Sequence, residues 1–377
     1  MTDRARFFEK LLRYMHKRSF TFLGISPVSE YVIISGIKAV AELNAPLIFV
    51  VSLNQVDIDG GYTGFTPNTF VKYVQELAIR EHLDEQIILF QLDHCGPWLK
   101  DEHILRNYSY NEALEATLKS LEKFIKAGFT LIHIDTTIDL EKTNYIADVE
   151  LAAKRTVEII SYAENIARDL GVKIYYEVGS DRWGFKPPDV FARLISNIIS
   201  GLKGENIDHE KVIFVVTDVG TRVRPGNRVD EKTISLFSNI ALHHGYLLKI
   251  HSGDYLENPS ILPLYRVGGI NIGPMFADIQ FKLVKEATLM INRNDLLDRL
   301  YAIILKGDKL KKHTKKDKIE EHELGLASRY IWSSPEAREV IKIVEQHGIS
   351  LARKIIEEIK NTIEWYMREL NLTTIEL

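Results

Sequence analysis

Residues 46–55, PLIFVVSLNQ, form a β-branched apolar run that ends in two amides; the turn-rich stretch DIDGGYTGF follows, then Thr66-Pro67, a favourable helix start. Beyond it apolar residues return at three- and four-residue spacing, the helical period. The same unit of apolar run, polar turn and helical stretch recurs along the chain. Further runs of strand character are 20–26 (FTFLGIS), 87–92 (IILFQL), 130–135 (TLIHID), 172–178 (VKIYYEV), 212–217 (VIFVVT), 246–250 (YLLKI) and 269–272 (GINI). Continuous apolar strands, each followed by a helix, mean a parallel sheet covered on its outer face. With eight of them closure is favoured, and no G-x-G-x-x-G turn follows the first run as an open dinucleotide-binding sheet would require. The expected fold class is α/β, a (β/α)8 TIM barrel.

After about residue 293 the strand signal stops and the remainder reads as helix. The expected organisation is a barrel over 1–293 that carries the active site, with a helical C-terminal extension over 294–377 packed on it. A lysine-rich run, KGDKLKKHTKKDK at 306–318, reads as a solvated loop, because like charges repel and the acidic IEEHE follows directly.

Apolar residues make up 45% of the 377 and charged residues 27%, the balance of a soluble globular chain and not of a disordered one. The net charge of −4 creates no positive field that would draw nucleic acid or lipid headgroups. No uncharged run approaches the ~20 residues of a membrane span. A cytoplasmic protein with a small-molecule partner is expected, with neither nucleic acid nor membrane as partner; a homo-oligomer is left open. The single cysteine, Cys95, excludes an intrachain disulfide and a multi-thiolate zinc knuckle. A metal would have to be held by His, Asp and Glu.

In a (β/α)8 barrel the active site lies where the strands end, since those loops converge on one mouth. The residues closing the runs are unusually polar: Asn54 and Gln55, Asp93 and His94, Asp135, Glu177, Thr217 and Asp218, His251 with Ser252 and Asp254, and Asn271. Imidazole and carboxylate from different strands are ligand types that a divalent cation accepts. His94 and His251 each directly follow an apolar run and precede residues that leave space, whereas His243 and His244 read as the end of a helix before Gly245. The Gly60–Phe65 stretch could cradle a phosphate or close over a sugar, or be an ordinary turn. Arg222, Arg224 and Arg228 could hold an anion or be soluble surface.

The segments LNQVDIDGGYTGFTP, LFQLDHCGPW, AGFTLIHIDTT, YYEVGSD, KIHSGDY, INIGPMFA and RYIWSSP carry a resemblance over most of the chain. The sequence resembles the family of the non-catalytic subunit of class II tagatose-1,6-bisphosphate aldolase, which is related to class II fructose-bisphosphate aldolases. The resemblance implies that Asp93 is a catalytic acid/base and His94 a metal ligand, with His251 as second ligand. It places a third histidine after strand six, where TDVGTRVRPG has none, so Glu177 is expected as the substitute ligand, with Asp135 in reserve. The implied cofactor is a divalent metal, zinc first, with manganese, cobalt and nickel as alternatives.

Phosphate loops of that family correspond here to His251-Ser252-Gly253-Asp254 and Asn271-Ile272-Gly273-Pro274. Asp254 pointing at a phosphate would repel it by roughly 1–4 kcal/mol at contact, so an unphosphorylated sugar is expected. Relatives of the family include enzymes that epimerise ketoses at C4. The resemblance therefore implies a metal-dependent ketose 4-epimerase that interconverts tagatose and fructose, either by C3–C4 cleavage and recapture through a metal-stabilised enediolate or by direct proton transfer at C4. Asp93 and Glu177 are the candidates for moving protons; Asn54, Gln55, Ser252, Asp254 and Asn271 would line the sugar. The alternative is a class II aldolase giving glycerone phosphate and glyceraldehyde 3-phosphate, or its non-catalytic stabilising subunit.

Overall fold

The apolar runs bury both of their faces, as strands enclosed by helices must. The computed structural model describes residues 3–15, 17–181, 187–306 and 320–375. Its strands are β1 (Phe22–Ile25), β2 (Leu47–Ser52), β3 (Ile88–Cys95), β4 (Leu131–Ile134), β5 (Tyr175–Gly179), β6 (Val212–Val216), β7 (Leu247–Ile250) and β8 (Gly269–Ile272). Each pairs in parallel with the next, and β8 returns to β1, so the sheet closes into the expected eight-stranded barrel.

Helices fill the connections: α1 (Asp3–Met15), α2 (Glu30–Leu43), α3 (Pro67–Arg80), α4 (Asp101–Leu105), α5 (Tyr110–Ala127), α6 (Val149–Leu170), α7 (Pro188–Gly204), α8 (Glu231–His243), α9 (Ile261–Leu264) and α10 (Pro274–Met290). Local chemistry sets their ends. The Thr66 hydroxyl accepts from the Thr69 N–H ahead of α3, and Ser109 with Glu112 forms a reciprocal cap on α5. Gly128 ends α5 at a φ of 97°, a conformation costly for any side chain.

The two ends of the barrel differ in chemistry. At the N-terminal end α1 acts as a plug: the Phe8 ring lies 5.6 Å from Phe22 and 5.2 Å from Tyr175, an apolar seal. Further up the interior turns polar. Gln91, Glu177 and Lys249, from the alternate strands β3, β5 and β7, are all fully buried and form one hydrogen-bonded layer.

Past residue 293 follow α11 (Asn294–Lys306), α12 (Glu321–Ala327), α13 (Pro335–Gln346) and α14 (Leu351–Glu369). Ile355, Ile359 and Ile363, one turn apart on α14, are buried in the same hydrophobic cluster as the barrel. The Ser35 hydroxyl of α2 donates to the Ile356 carbonyl at 2.9 Å, tying α14 to the barrel wall. Of the lysine-rich run, residues 307–318 lie outside the described residues. Among the described residues no helix is long and apolar enough to cross a membrane.

Candidate metal centre

A β-bulge makes the centre possible. Neighbours on a regular strand point to opposite faces, yet Asp93 and His94 both reach the barrel mouth. The β3–β4 register shifts between Leu92 and Cys95, and His94 sits at a φ of 48°, in the left-handed region. Such a bulge re-aims one side chain and is common beside active sites.

Three imidazoles surround Asp93. The ring centroids of His94, His133 and His251 lie 4.8, 5.0 and 5.0 Å apart. His133 Nδ1 is 2.7 Å from Asp93 Oδ1, His251 Nε2 is 3.9 Å from the same oxygen, and His94 Nε2 is 3.9 Å from Oδ2. One donor atom from each of the four residues falls within 4.8 Å of the others. Among the described residues this is the one group of His, Cys, Asp and Glu side chains close enough to share a cation.

The donor set fits a divalent metal for a second reason. His94 Nδ1 is bound at 2.8 Å by the Asp135 carboxylate, which leaves Nε2 turned toward the cluster. A carboxylate on the far nitrogen is what metal-bound histidines commonly have, because it fixes tautomer and ring orientation. That contact occupies Asp135, which is fully buried and whose other oxygen accepts from the Thr137 N–H and hydroxyl. The residue expected as a reserve ligand is thus placed as an orienter. Asp135→Asn should weaken metal binding by roughly 10–100-fold; unchanged affinity in a calorimetric titration would remove that role.

Electrostatics agree with a site built for positive charge. Burial opposes ionisation of Asp93, but His94, His251 and His133 hold its carboxyl well below the usual range. Burial likewise opposes charge on His133, yet Glu177, Asp93 and Asp135 outweigh it and push the imidazole up to about 9.

Glu177, expected as the third ligand, borders the cluster from below. Its Oε1 lies 2.7 Å from His251 Nε2, while Oε2 accepts from Lys249 Nζ at 2.6 Å and from Gln91 Nε2 at 2.6 Å. Burial opposes its charge, but Lys249 and the two histidines hold the carboxyl far below the ordinary range. The third imidazole comes instead from inside β4. His133 was missed because it lies within an apolar run; its signal was the two-residue spacing to Asp135, which puts both on one face.

Above the cluster opens a cavity of about 270 Å³ whose wall includes Asp93, His94, His251, Ser252, Asp254, Asn271, Asn54 and Gln55. Glu177 is not on that wall. Asp181 is, and it was also missed; Ser252 Oγ donates to it at 3.4 Å. A larger hollow of about 520 Å³, bounded by Leu12, Phe20 and Tyr246 at the opposite end, holds none of the strand-end residues.

The expected sugar contacts divide. Asn271 is 8% exposed, and among the described residues neither amide atom has a partner, a cost of ~1–3 kcal/mol per orphaned group unless something enters the cavity to bind it. Asn54 is instead a brace, donating to the Leu99 carbonyl and accepting from the Asp101 N–H. Gln55 Oε1 accepts from the Ser52 N–H.

The glycine-rich loop after β2 is no phosphate cradle: the N–H groups of Tyr62 and Thr63 are taken by the Asn54 and Gln55 carbonyls. A side chain at Gly61 would come within 2.5 Å of the Gln55 backbone, so only glycine lets the loop fold this tightly. The loop presents Tyr62, whose ring stacks edge-on against Tyr330 at 5.1 Å. Arg222 is engaged with Asp218 through two contacts of 2.9 and 3.0 Å, and Arg228 with Glu257. His243 and His244 sit at the C-terminus of α8, away from the cavity.

The C-terminal segment completes the mouth. Arg329 and Tyr330, just past α12, lie on the cavity wall. The Tyr366 hydroxyl of α14 donates to the Gly253 carbonyl at 2.8 Å and accepts from the Leu256 N–H at 3.0 Å, clamping the loop that follows His251.

Known proteins are similar to this chain in sequence and in fold. Residues 11–182 match the family model for the D-tagatose-1,6-bisphosphate aldolase subunit GatZ/KbaZ-like. Over those residues the chain is similar to that family. They cover Asp93, His94, His133, Asp135 and Glu177. A D-tagatose 6-phosphate 4-epimerase of Agrobacterium fabrum is 24% identical over 262 residues, 64% of this chain and 60% of that protein. The D-tagatose-1,6-bisphosphate aldolase subunit GatZ of Escherichia coli O1:K1 is 28% identical over 131 residues, 34% of this chain and 30% of GatZ. The matches thus span less than two thirds of either relative. A probable tagatose 6 phosphate kinase from Sinorhizobium meliloti 1021 shares the fold with a TM-score of 0.74 at 20% identity, over 94% of this chain and 96% of that one.

Asp254 belongs to the same loop as His251 and is 1% exposed. Burial pushes its carboxyl up from the ordinary 3.8 to about 6, against two backbone N–H donors that pull it down. Between pH ~4 and ~6 the folded chain therefore holds a proton that the unfolded chain has lost, and this group's contribution to stability falls as pH rises through that window. Asp254→Asn removes the effect. Its stability relative to the parent should rise from pH 4 to 6 and level off at a gain on the order of 2–3 kcal/mol by pH 7. Parallel urea melts at the two ends of the window check this, and a pH-independent difference would contradict it.

Proposed function

We propose that this chain is a cytoplasmic, metal-dependent ketose 4-epimerase that acts on tagatose and fructose or close relatives. The observation that carries the reading is the triangle of His94, His133 and His251 around Asp93 at the base of a polar cavity. A divalent cation held there, zinc first, would supply Lewis-acid polarisation of a ketose carbonyl and its neighbouring hydroxyl. The epimerase named among the relatives supports this choice of reaction.

The chain's own groups have separable roles. Asp93 is the carboxylate that both contacts an imidazole and lines the cavity, so it takes or returns the proton. A second carboxylate is needed for a C4 proton transfer that leaves one face and returns on the other. Asp181, on the cavity wall after β5, suits it better than Glu177, which lies beneath the histidines. Asn271 offers a donor and an acceptor to sugar hydroxyls.

The test is to load the purified chain with zinc, manganese, cobalt or nickel and supply D-tagatose or D-tagatose 6-phosphate. Formation of the matching fructose sugar supports the proposal; no epimer with any of the metals would sink it. Triose phosphate released from tagatose-1,6-bisphosphate would favour the aldolase reading that the GatZ relative suggests.

A further inference from the structure

In (β/α)8 barrels a common phosphate site is built from the loops after strands seven and eight together with a helix N-terminus, whose N–H groups and dipole attract anions. That cradle exists here, and a side chain of the chain itself fills it. The N–H groups of Gly273 and Met275, at the start of α10, both donate to Asp254 Oδ1, at 2.9 and 2.8 Å. The Asp254 backbone is fixed as well, since its carbonyl accepts from Asn227 Nδ2 at 2.8 Å.

There is little slack for the carboxylate loop to retreat. A Cβ at Gly253 would lie 2.3 Å from Ile270, and one at Gly273 would lie 2.5 Å from Ser26, so both loops run tight against the barrel. Next to the filled cradle stands Asn271, neutral, buried and, among the described residues, without a partner for its amide. Its amide suits a hydroxyl group. Among the described residues Arg329 is the one lysine or arginine on the cavity wall, its Cζ 4.6 Å from the Tyr330 ring centroid. One guanidinium matches a single phosphate, not two.

We propose that Asp254 is a built-in stand-in for phosphate: it closes the β7–β8 anion subsite, so the cavity accepts a ketose carrying at most one phosphate, at the end away from Asp254. The proposal rests on the ketose reading above and deepens it. A bisphosphate would have to place a dianion against the Asp254 carboxylate, a repulsion equivalent to about tenfold or more in affinity.

Binding, not turnover, is the readout, so an inactive enzyme would count against the proposed reaction without touching this inference. Calorimetric titration of the metal-loaded chain compares fructose 6-phosphate with fructose 1,6-bisphosphate. The parent chain should prefer the monophosphate by about tenfold or more. Asp254→Gly, which vacates the cradle, should erase most of that preference, and the near-isosteric Asp254→Asn, which removes only the charge, should reduce it. Should the glycine variant fail to fold, the asparagine variant decides. Equal affinity for the two sugars in the parent, or an undiminished preference in the folded variants, overturns the proposal.

Discussion

His133→Ala is expected to lose stoichiometric metal and, with it, all metal-dependent turnover. His133 is fully buried, its Nδ1 meets Asp93 at 2.7 Å, and its Nε2 donates to the Gly179 carbonyl at 2.9 Å. Removing it takes away one of three imidazoles and the shortest imidazole contact of Asp93. Loss of a group that merely orients a metal ligand costs ~10–100-fold in affinity, and loss of a ligand itself should exceed that. Elemental analysis and calorimetry on protein shown by circular dichroism to be folded provide the check. Glu177→Gln is the informative partner. If Glu177 only braces His251, it should retain metal with a loss of ~10–100-fold, whereas a ligand role would make it as damaging as His133→Ala. Wild-type metal content in His133→Ala would remove this residue from the centre.

Lys249→Met should be the most destabilising single change in the barrel interior. Lys249 and Glu177 are both fully buried, and the ammonium sits 2.6 Å from Glu177 Oε2 and 2.5 Å from Gln91 Oε1. Deleting one member of a buried ion pair leaves an uncompensated charge, at a cost of about 3–5 kcal/mol. The double variant Lys249→Met/Glu177→Gln removes both charges and should recover a substantial part of the loss, because the penalty belongs to the stranded carboxylate and not to the missing lysine. Urea melts of the two variants measure it. A single variant as stable as the parent would mean that His133 and His251 alone satisfy Glu177.

The strand runs were legible because a parallel strand buried on both faces must be apolar throughout, and GINI, IILFQL or VIFVVT can be little else between helical stretches. Strand-end residues were legible for a related reason: in a barrel those positions share one mouth. His94, Asp93 and His251 were therefore found, and they do meet. His133, one residue deeper and hidden in TLIHID, was not, although its alternation with Asp135 was in plain view. Asp181 was passed over within YYEVGSD, because a single carboxylate past a strand is commonly a turn former.

What the sequence determined by itself was the number and direction of the strands, through apolar periodicity, and the kinds of chemistry available at their ends. What only the tertiary structure decided was which polar groups are spent on each other. Asn54 braces a loop, Asp135 steers His94, Glu177 pairs with Lys249, and Asp254 occupies the N-terminus of α10. The physical reason is that hydrogen bonds and ion pairs depend on ångström-scale distances between residues as far apart in sequence as Gln91 and Lys249, set by barrel closure and the register shifts in β3 and β5, and no local pattern encodes such distances.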